Sequence, residues 1–355
     1  MDEGDVTEQI AAITAIGQGD DMLEQRVSLL ANAMASREQT IESIAMLSIQ
    51  RLGDRVKPDV RKLFDSSNPG ERHKGCSVVR AMGENGDEYA EDLLKMLKEG
   101  GTRDRHAALY AMQQLSADVL LPGLKDVTMA LDEEDFNTQC QACFVLKKMG
   151  PGAAAATEQL VLLLEEGNPS TRSRAAEALA SIGPVEGFDV PGLIVARLKA
   201  DAFLEKKRAL DAIATLGPAA DTKENREAIQ VLIDTTKHNC VAEASLAYYK
   251  VTGEKDPAKK RIMQLLKSPT SRVAAIECLG AMGEDAADTV PQLLGYLKNE
   301  ELVVSESAIL ALKNIGPPAA EALPRLEKML SHDDFLITVA AQEAIDSISG
   351  KNAGK

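Results

Sequence analysis

The chain has 355 residues, 45% apolar and 27% charged, a balance that excludes wholesale disorder. Aromatic residues make up only 3%, with no Trp, so the core must be aliphatic and a β-sandwich or barrel is disfavoured. The formal charge of -15 disfavours nucleic acid as a general partner, because an acidic surface repels a polyphosphate.

In chain order, the first pattern is an amphipathic run over residues 6–16. It falls outside the register that follows and predicts a helix at 1–19 that caps the first repeat through Ile10, Ile13 and Ile16. Its acidic start, Met1-Asp2-Glu3-Gly4-Asp5, lacks the basic-then-apolar order of a secretory signal. No apolar run reaches the length of a membrane span, so no membrane insertion is expected. Cys76, Cys140, Cys143, Cys240 and Cys278 are an odd set and read as free thiols in a reducing, cytoplasmic compartment.

From residue 20 to 349 one motif recurs: an Ala-rich amphipathic run ending in an apolar residue and Gly. Its terminal position falls at Gly53, Gly83, Ser116, Gly150, Gly183, Gly217, Gly253, Gly283, Gly316 and Ser349. Eight residues earlier every copy has a small residue (Ala45, Gly75, Ala108, Ala142, Ala175, Ala209, Ser245, Ala275, Ala308, Ala341). Four residues earlier every copy has an apolar one, from Ile49 and Val79 to Leu312 and Ile345. The four-residue step puts both columns on one helical face, the small one for close approach and the large one to fill the seam. The Gly is expected to be the left-handed residue that ends the helix.

A second amphipathic run precedes each of these helices, as at 93–97, 160–164 and 293–297. Several open near Pro (Pro58, Pro122, Pro191, Pro257, Pro291, Pro324), which the first helical turn tolerates. Polar turns such as Asn68-Pro69, Asn168-Pro169 and Ser268-Pro269 join the two helices. These features, with an Arg three residues after the turn Pro (Arg72, Arg172, Arg272; Arg105 and Lys206 in register), resemble HEAT repeats of the short bacterial, PBS-lyase type. The resemblance implies an all-α fold, an α-solenoid: a superhelical stack of about ten HEAT-like hairpins over 20–349. The small, polar residues 350–355 read as a frayed tail.

The candidate chemistry is sparse. None of His73, His106, His238 and His332 precedes a Glu, so the His-Glu pairs of a HEAT-type di-iron hydroxylase are absent. His73, His106 and Cys140 share a column, but helices packed about 8–10 Å apart do not bring such positions to one metal ion. Cys140-Gln141-Ala142-Cys143 lies within one helix and reads as core filling. Asp132-Glu133-Glu134-Asp135 reads as a helix cap. The triplets Lys206-Lys207-Arg208 and Lys259-Lys260-Arg261 are too short, and too poor in aromatics, for a nucleic-acid groove. The Arg column reads as a ladder bridging to acids of the adjacent turn.

No catalytic, metal or cofactor-binding residue is assigned, and no cofactor is expected. The leading reading is a non-enzymatic scaffold or adaptor that binds a protein partner, an acidic or extended segment, on the concave second-helix face. The alternative, carried by the family resemblance, is a bilin lyase-like or cofactor-handling accessory protein; nucleic-acid binding is third. The expected partner surface is the face three, six and ten residues before the repeat terminus. It reads His73, Ser77 and Arg80, then His106, Tyr110 and Gln113, then Cys140, Phe144 and Lys147.

Overall fold

Short amphipathic helices bury their apolar stripes only by packing against one another. The computed structural model describes residues 6–18, 23–34, 38–234, 240–299 and 301–350, and among these the regular structure is helical, with no strand. By its internal contacts the chain divides into two units, residues 1–186 and 187–355, a boundary where the sequence pattern shows none.

In the first unit, α1 (Val6–Gln18) precedes α2 (Leu23–Ala33) and α3 (Gln39–Leu52). Three more hairpins follow as α4 (Lys57–Asp65) with α5 (Pro69–Met82), α6 (Ala90–Glu99) with α7 (Thr102–Met112), and a broken pair, α8 (Ala117–Leu120) and α9 (Leu124–Met129), with α10 (Phe136–Met149). The last is α11 (Thr157–Glu166) with α12 (Pro169–Ile182). The second unit comprises α13 (Val190–Ala196) with α14 (Phe203–Leu216), α15 (Lys223–Asp234) with α16 (Val241–Thr252), and α17 (Lys255–Leu265) with α18 (Pro269–Met282). It ends with α19 (Val290–Leu294) and α20 (Leu302–Ile315), then α21 (Leu323–Met329) and α22 (Phe335–Ile348). In each unit the second helices pack in chain order, α3 to α5, α7, α10 and α12, and α14 to α16, α18, α20 and α22.

The two sequence columns are the packing seam. Ala45, Ala108, Ala142, Ala175, Ala275, Ala308 and Ala341 are fully buried, as are Ile49, Val79, Met112, Leu146, Leu179, Ile213, Leu279 and Leu312. Tyr249 is the half-buried member of the large column, with its hydroxyl donating to Asp285 Oδ2. At the start, α1 packs on α2 and α3 through the fully buried Ile13, with Ile10 and Ile16 half-buried. The Arg26 guanidinium donates to the Ile16 carbonyl. Residues 351–355 of the expected tail, and His238, lie outside the described residues.

One local expectation is corrected and a second is met in part. The terminal glycines do take positive φ, but at Gly53, Gly83, Gly150, Gly183, Gly217, Gly283 and Gly316 φ is 55 to 87 with ψ between -131 and -166. Only Gly253, at φ 77 and ψ 0, is left-handed helical. The other basin turns the chain sharply; at several of these glycines it feeds a 3-10 turn such as Gly83–Tyr89, Gly150–Ala156 or Gly283–Thr289, which then leads into the next first helix. Where Ser116 replaces Gly, α7 stops early at Met112 and Ser116 is extended (φ -63, ψ 145), its N–H donating to Asp87 Oδ1 at 2.9 Å.

The Arg column, in turn, chiefly satisfies backbone carbonyls left open at the end of the preceding first helix. Arg172 Nη1 donates to the Gly167 carbonyl at 2.7 Å, and Arg272 Nε to that of Leu266 at 3.1 Å. Arg72 reaches the Ser66 and Ser67 carbonyls. Carboxylate partners from the next hairpin are added for Arg72 (Asp104) and Arg105 (Glu133).

Candidate functional site

Residues three, six, ten and thirteen before the repeat terminus share the second-helix face, because steps of three and four keep one side of a helix. On α5, α7 and the first turn of α10 this face encloses a depression of about 560 Å³. His73, Ser77, Arg80, His106 and Tyr110 of the expected surface line it. Arg103 and Asn137 line it too; they occupy the thirteenth position, one turn beyond the columns used in the sequence reading, and the same spacing would have found them.

Most polar groups here are held by neighbouring hairpins. Asp104 accepts from His73 Nε2 at 2.6 Å and from Arg72 Nη2 at 3.3 Å. Burial alone would raise the Asp104 carboxyl, but the hydrogen bonds and positive charge of His73 and Arg72 hold it below its ordinary pKa. Arg80 Nη2 donates to Glu42 Oε1 at 2.7 Å, and its Nη1 to the Tyr110 hydroxyl at 3.2 Å. The Arg80 guanidinium lies 4.7 Å over the Tyr110 ring, and His106 stacks on that ring with centroids 6.4 Å apart. Tyr110 is thus fixed in orientation yet 42% exposed. Asp135 caps α10 by accepting from the Thr138 N–H and hydroxyl at 2.9 and 2.7 Å, and these bonds lower its pKa. Arg103 is exposed and makes no hydrogen bond or ion pair with the described residues.

The other expected residues lie outside the depression. Gln113 donates to Gln141 of the next helix. Phe144 lies under the Arg174 guanidinium at 4.1 Å, and Lys147 pairs with Glu177 at 3.0 Å, as does Arg174. Cys140 is half-buried. Arg80 and Lys147 are therefore each balanced by a carboxylate, Glu42 and Glu177.

In the second unit the same face carries a buried acid. Glu243 is 5% exposed, its Oε2 has no hydrogen-bond partner, and Lys207 Nζ lies 3.7 Å from its Oε1 and 3.9 Å from Glu277 Oε2. Burial pushes the Glu243 carboxyl above its ordinary pKa. Lys207 of the first basic triplet is thus engaged within the repeat array. So are Lys259 (Asp288, 2.8 Å) and Arg261 (the Ile233 carbonyl, 3.2 Å) of the second. All five thiols are free and four are buried; burial raises Cys76 to about 12 and Cys240 to about 11. Among the described residues no group of His, Cys, Asp and Glu is placed to hold a metal ion, and no helix is long and apolar enough to cross a membrane.

Residues 259–346 match the family model for HEAT repeats, a span reaching from within α17 into α22. No curated protein matches the chain in sequence. Among solved structures, the crystal structure of an engineered protein is similar at 18% identity, covering 98% of this chain and 97% of that one with a TM-score of 0.41.

Proposed function

We propose that this chain, which carries HEAT repeats, is a non-enzymatic scaffold that docks a protein segment on the second-helix face of its first unit. The observation that carries the reading is Tyr110, a large aromatic side chain left 42% exposed while Arg80 and His106 hold its ring in place. A ring whose rotamer is already fixed loses little entropy on docking, the property of an interface anchor. Arg103 beside it supplies a cation with no partner among the described residues, which favours a segment bearing Asp or Glu. His73 and Arg80, already bonded to Asp104 and Glu42, shape the depression rather than bind the partner.

The test compares full-length protein with a Tyr110→Ala/Arg103→Glu variant as bait in extracts of the source cells, scored by mass spectrometry. Proteins retained by the wild type and lost by a variant of unchanged helicity support the reading. Equal retention by both removes this face as the docking surface.

A further inference from the structure

The turn edge of the repeats forms a notch between successive hairpins, and two such notches can be compared residue by residue. One lies between the α6–α7 hairpin and α9–α10, the other between α19–α20 and α21–α22. Lys98 and Lys298 each stand fifteen residues after Gly83 and Gly283, and Arg105 and Ser305 twenty-two residues after them. On the other wall the reference points are Asp135 and Asp334, which cap α10 and α22. Counting back nine residues gives Asp126 and Arg325; six gives Met129 and Lys328; two gives Glu133 and His332.

The first notch is electrically balanced. Lys98 pairs with Asp126 at 3.1 Å and Arg105 pairs with Glu133, leaving a depression of about 250 Å³. In the second, both acids and the Arg are gone, two new bases have entered, and the depression widens to about 560 Å³. Lys298, Arg325 and Lys328 line it with no Asp or Glu among the described lining residues. The ammonium groups of Lys298 and Lys328 make no ion pair or hydrogen bond with the described residues. Arg325 donates from Nη1 to the Leu294 carbonyl at 2.9 Å, which fixes the guanidinium and leaves its other N–H groups available. His332 Nδ1 accepts the Asp334 N–H at 2.9 Å, so its ring proton sits on Nε2, a further donor. Asp334 itself is engaged in accepting the Leu336 and Ile337 N–H groups.

We infer that this notch in the second unit is a binding site for a phosphate monoester. Three cations that no described side chain neutralises call for more than one negative charge, and a phosphate monoester carries about -1.5 to -2 at neutral pH where a carboxylate carries one. A guanidinium anchored by one N–H and two ammonium groups match its three acceptor oxygens. Leu297 and Met329, also in the lining, give an apolar wall for the group esterified to the phosphate. The site is separate from the Tyr110 surface and does not depend on that reading.

The experiment is calorimetric titration of the full chain with phenyl phosphate, alongside benzoate, inorganic phosphate and a phosphoserine peptide at matched ionic strength. The expected result is one saturable site per chain for phenyl phosphate, at least about 10-fold tighter than benzoate. Affinity should fall at least about 10-fold in Lys298→Ala/Lys328→Ala and stay unchanged in Lys223→Ala, which removes an exposed lysine of α15 paired with Glu227. Both lysines of the notch are exposed, so retained helicity is expected and is checked by circular dichroism. Tighter binding of the phosphopeptide than of phenyl phosphate identifies a partner's phosphorylated side chain as the source. The reverse order identifies a small phosphorylated molecule, and either order supports the site. Absence of saturable phenyl phosphate binding, benzoate binding as tight, or a double variant that binds like the wild type would overturn the inference.

Discussion

Replacing Gly83 by Ala isolates the backbone's contribution to the repeat corner. Gly83 has φ 62 and ψ -137, and a Cβ placed there meets nothing within 4 Å. The penalty is therefore conformational strain alone, about 1–3 kcal/mol for an L-residue forced into this Gly-only basin. With a midpoint shift of roughly 2–4 °C per kcal/mol for 150–250 residues, the melting temperature should fall by about 2–12 °C. Gly101→Ala is the control: its Cβ also meets open space, but φ is -74 and ψ 177, so the change should stay within about 0.5 kcal/mol. The basin itself is tested with Asn, which tolerates the left-handed helical region but not this one. At Gly253 (φ 77, ψ 0) Asn should be milder than Ala, whereas at Gly83 it should give no relief. Thermal melts of the five variants by circular dichroism decide the matter. Equal melting of Gly83→Ala and Gly101→Ala, or rescue by Asn at Gly83, would refute the corner geometry as the reason for glycine.

Burial raises the Glu243 carboxyl above its unfolded pKa, so its ionised form opposes folding at high pH, and the penalty fades as pH falls through the folded value. Glu243→Gln should therefore raise the melting temperature near about pH 8 and change it little near about pH 4; a gain that is the same at both would contradict the buried-carboxylate account. Asn168 Oδ1 accepts the Ser170 and Thr171 N–H groups at 2.9 and 3.1 Å, so Asn168→Ala should cost about 0.5–2 kcal/mol in urea melts. Ser268 makes no such bond, and Ser268→Ala should be close to neutral.

What was legible in the sequence is what repeats. The buried Ala175 and Leu179 recur with fixed spacing because within each unit the second helices pack on one another in the same way, so position alone identifies the seam. The sign of φ at Gly83 was legible too, since only Gly adopts it cheaply; the basin was not, because ψ depends on where the next hairpin begins. The 3-10 turns escaped for the same reason: Gly150–Ala156 is Ala-rich and reads as plain helix until the corner geometry is known. At the candidate site, the spacing brought His73, Arg80, His106 and Tyr110 together. It could not show that Glu42 and Asp104 neutralise two of them, because those partners come from adjacent hairpins.

In an array built on one backbone pattern, a site can be made only by departing from the pattern, and the departures cluster. The depression at Tyr110 lies on α7, which ends four residues short of Ser116, whereas α22 runs its full length up to Ser349. The hairpin that follows has the broken first helix, α8 and α9, interrupted by the 3-10 turn at Pro122. Early termination leaves Gln113 in a turn, where it bonds Gln141 across to α10 and fixes the spacing of the two helices beside the depression. The cationic notch is a departure of another kind, in charge, with the pattern of the first notch inverted at Arg325, Lys328 and His332. The second notch lacks the two ion pairs, Lys98 with Asp126 and Arg105 with Glu133, that balance the first. Local rules broken without an evident structural gain are where a functional or strained site is to be sought, and both proposed sites stand on such positions.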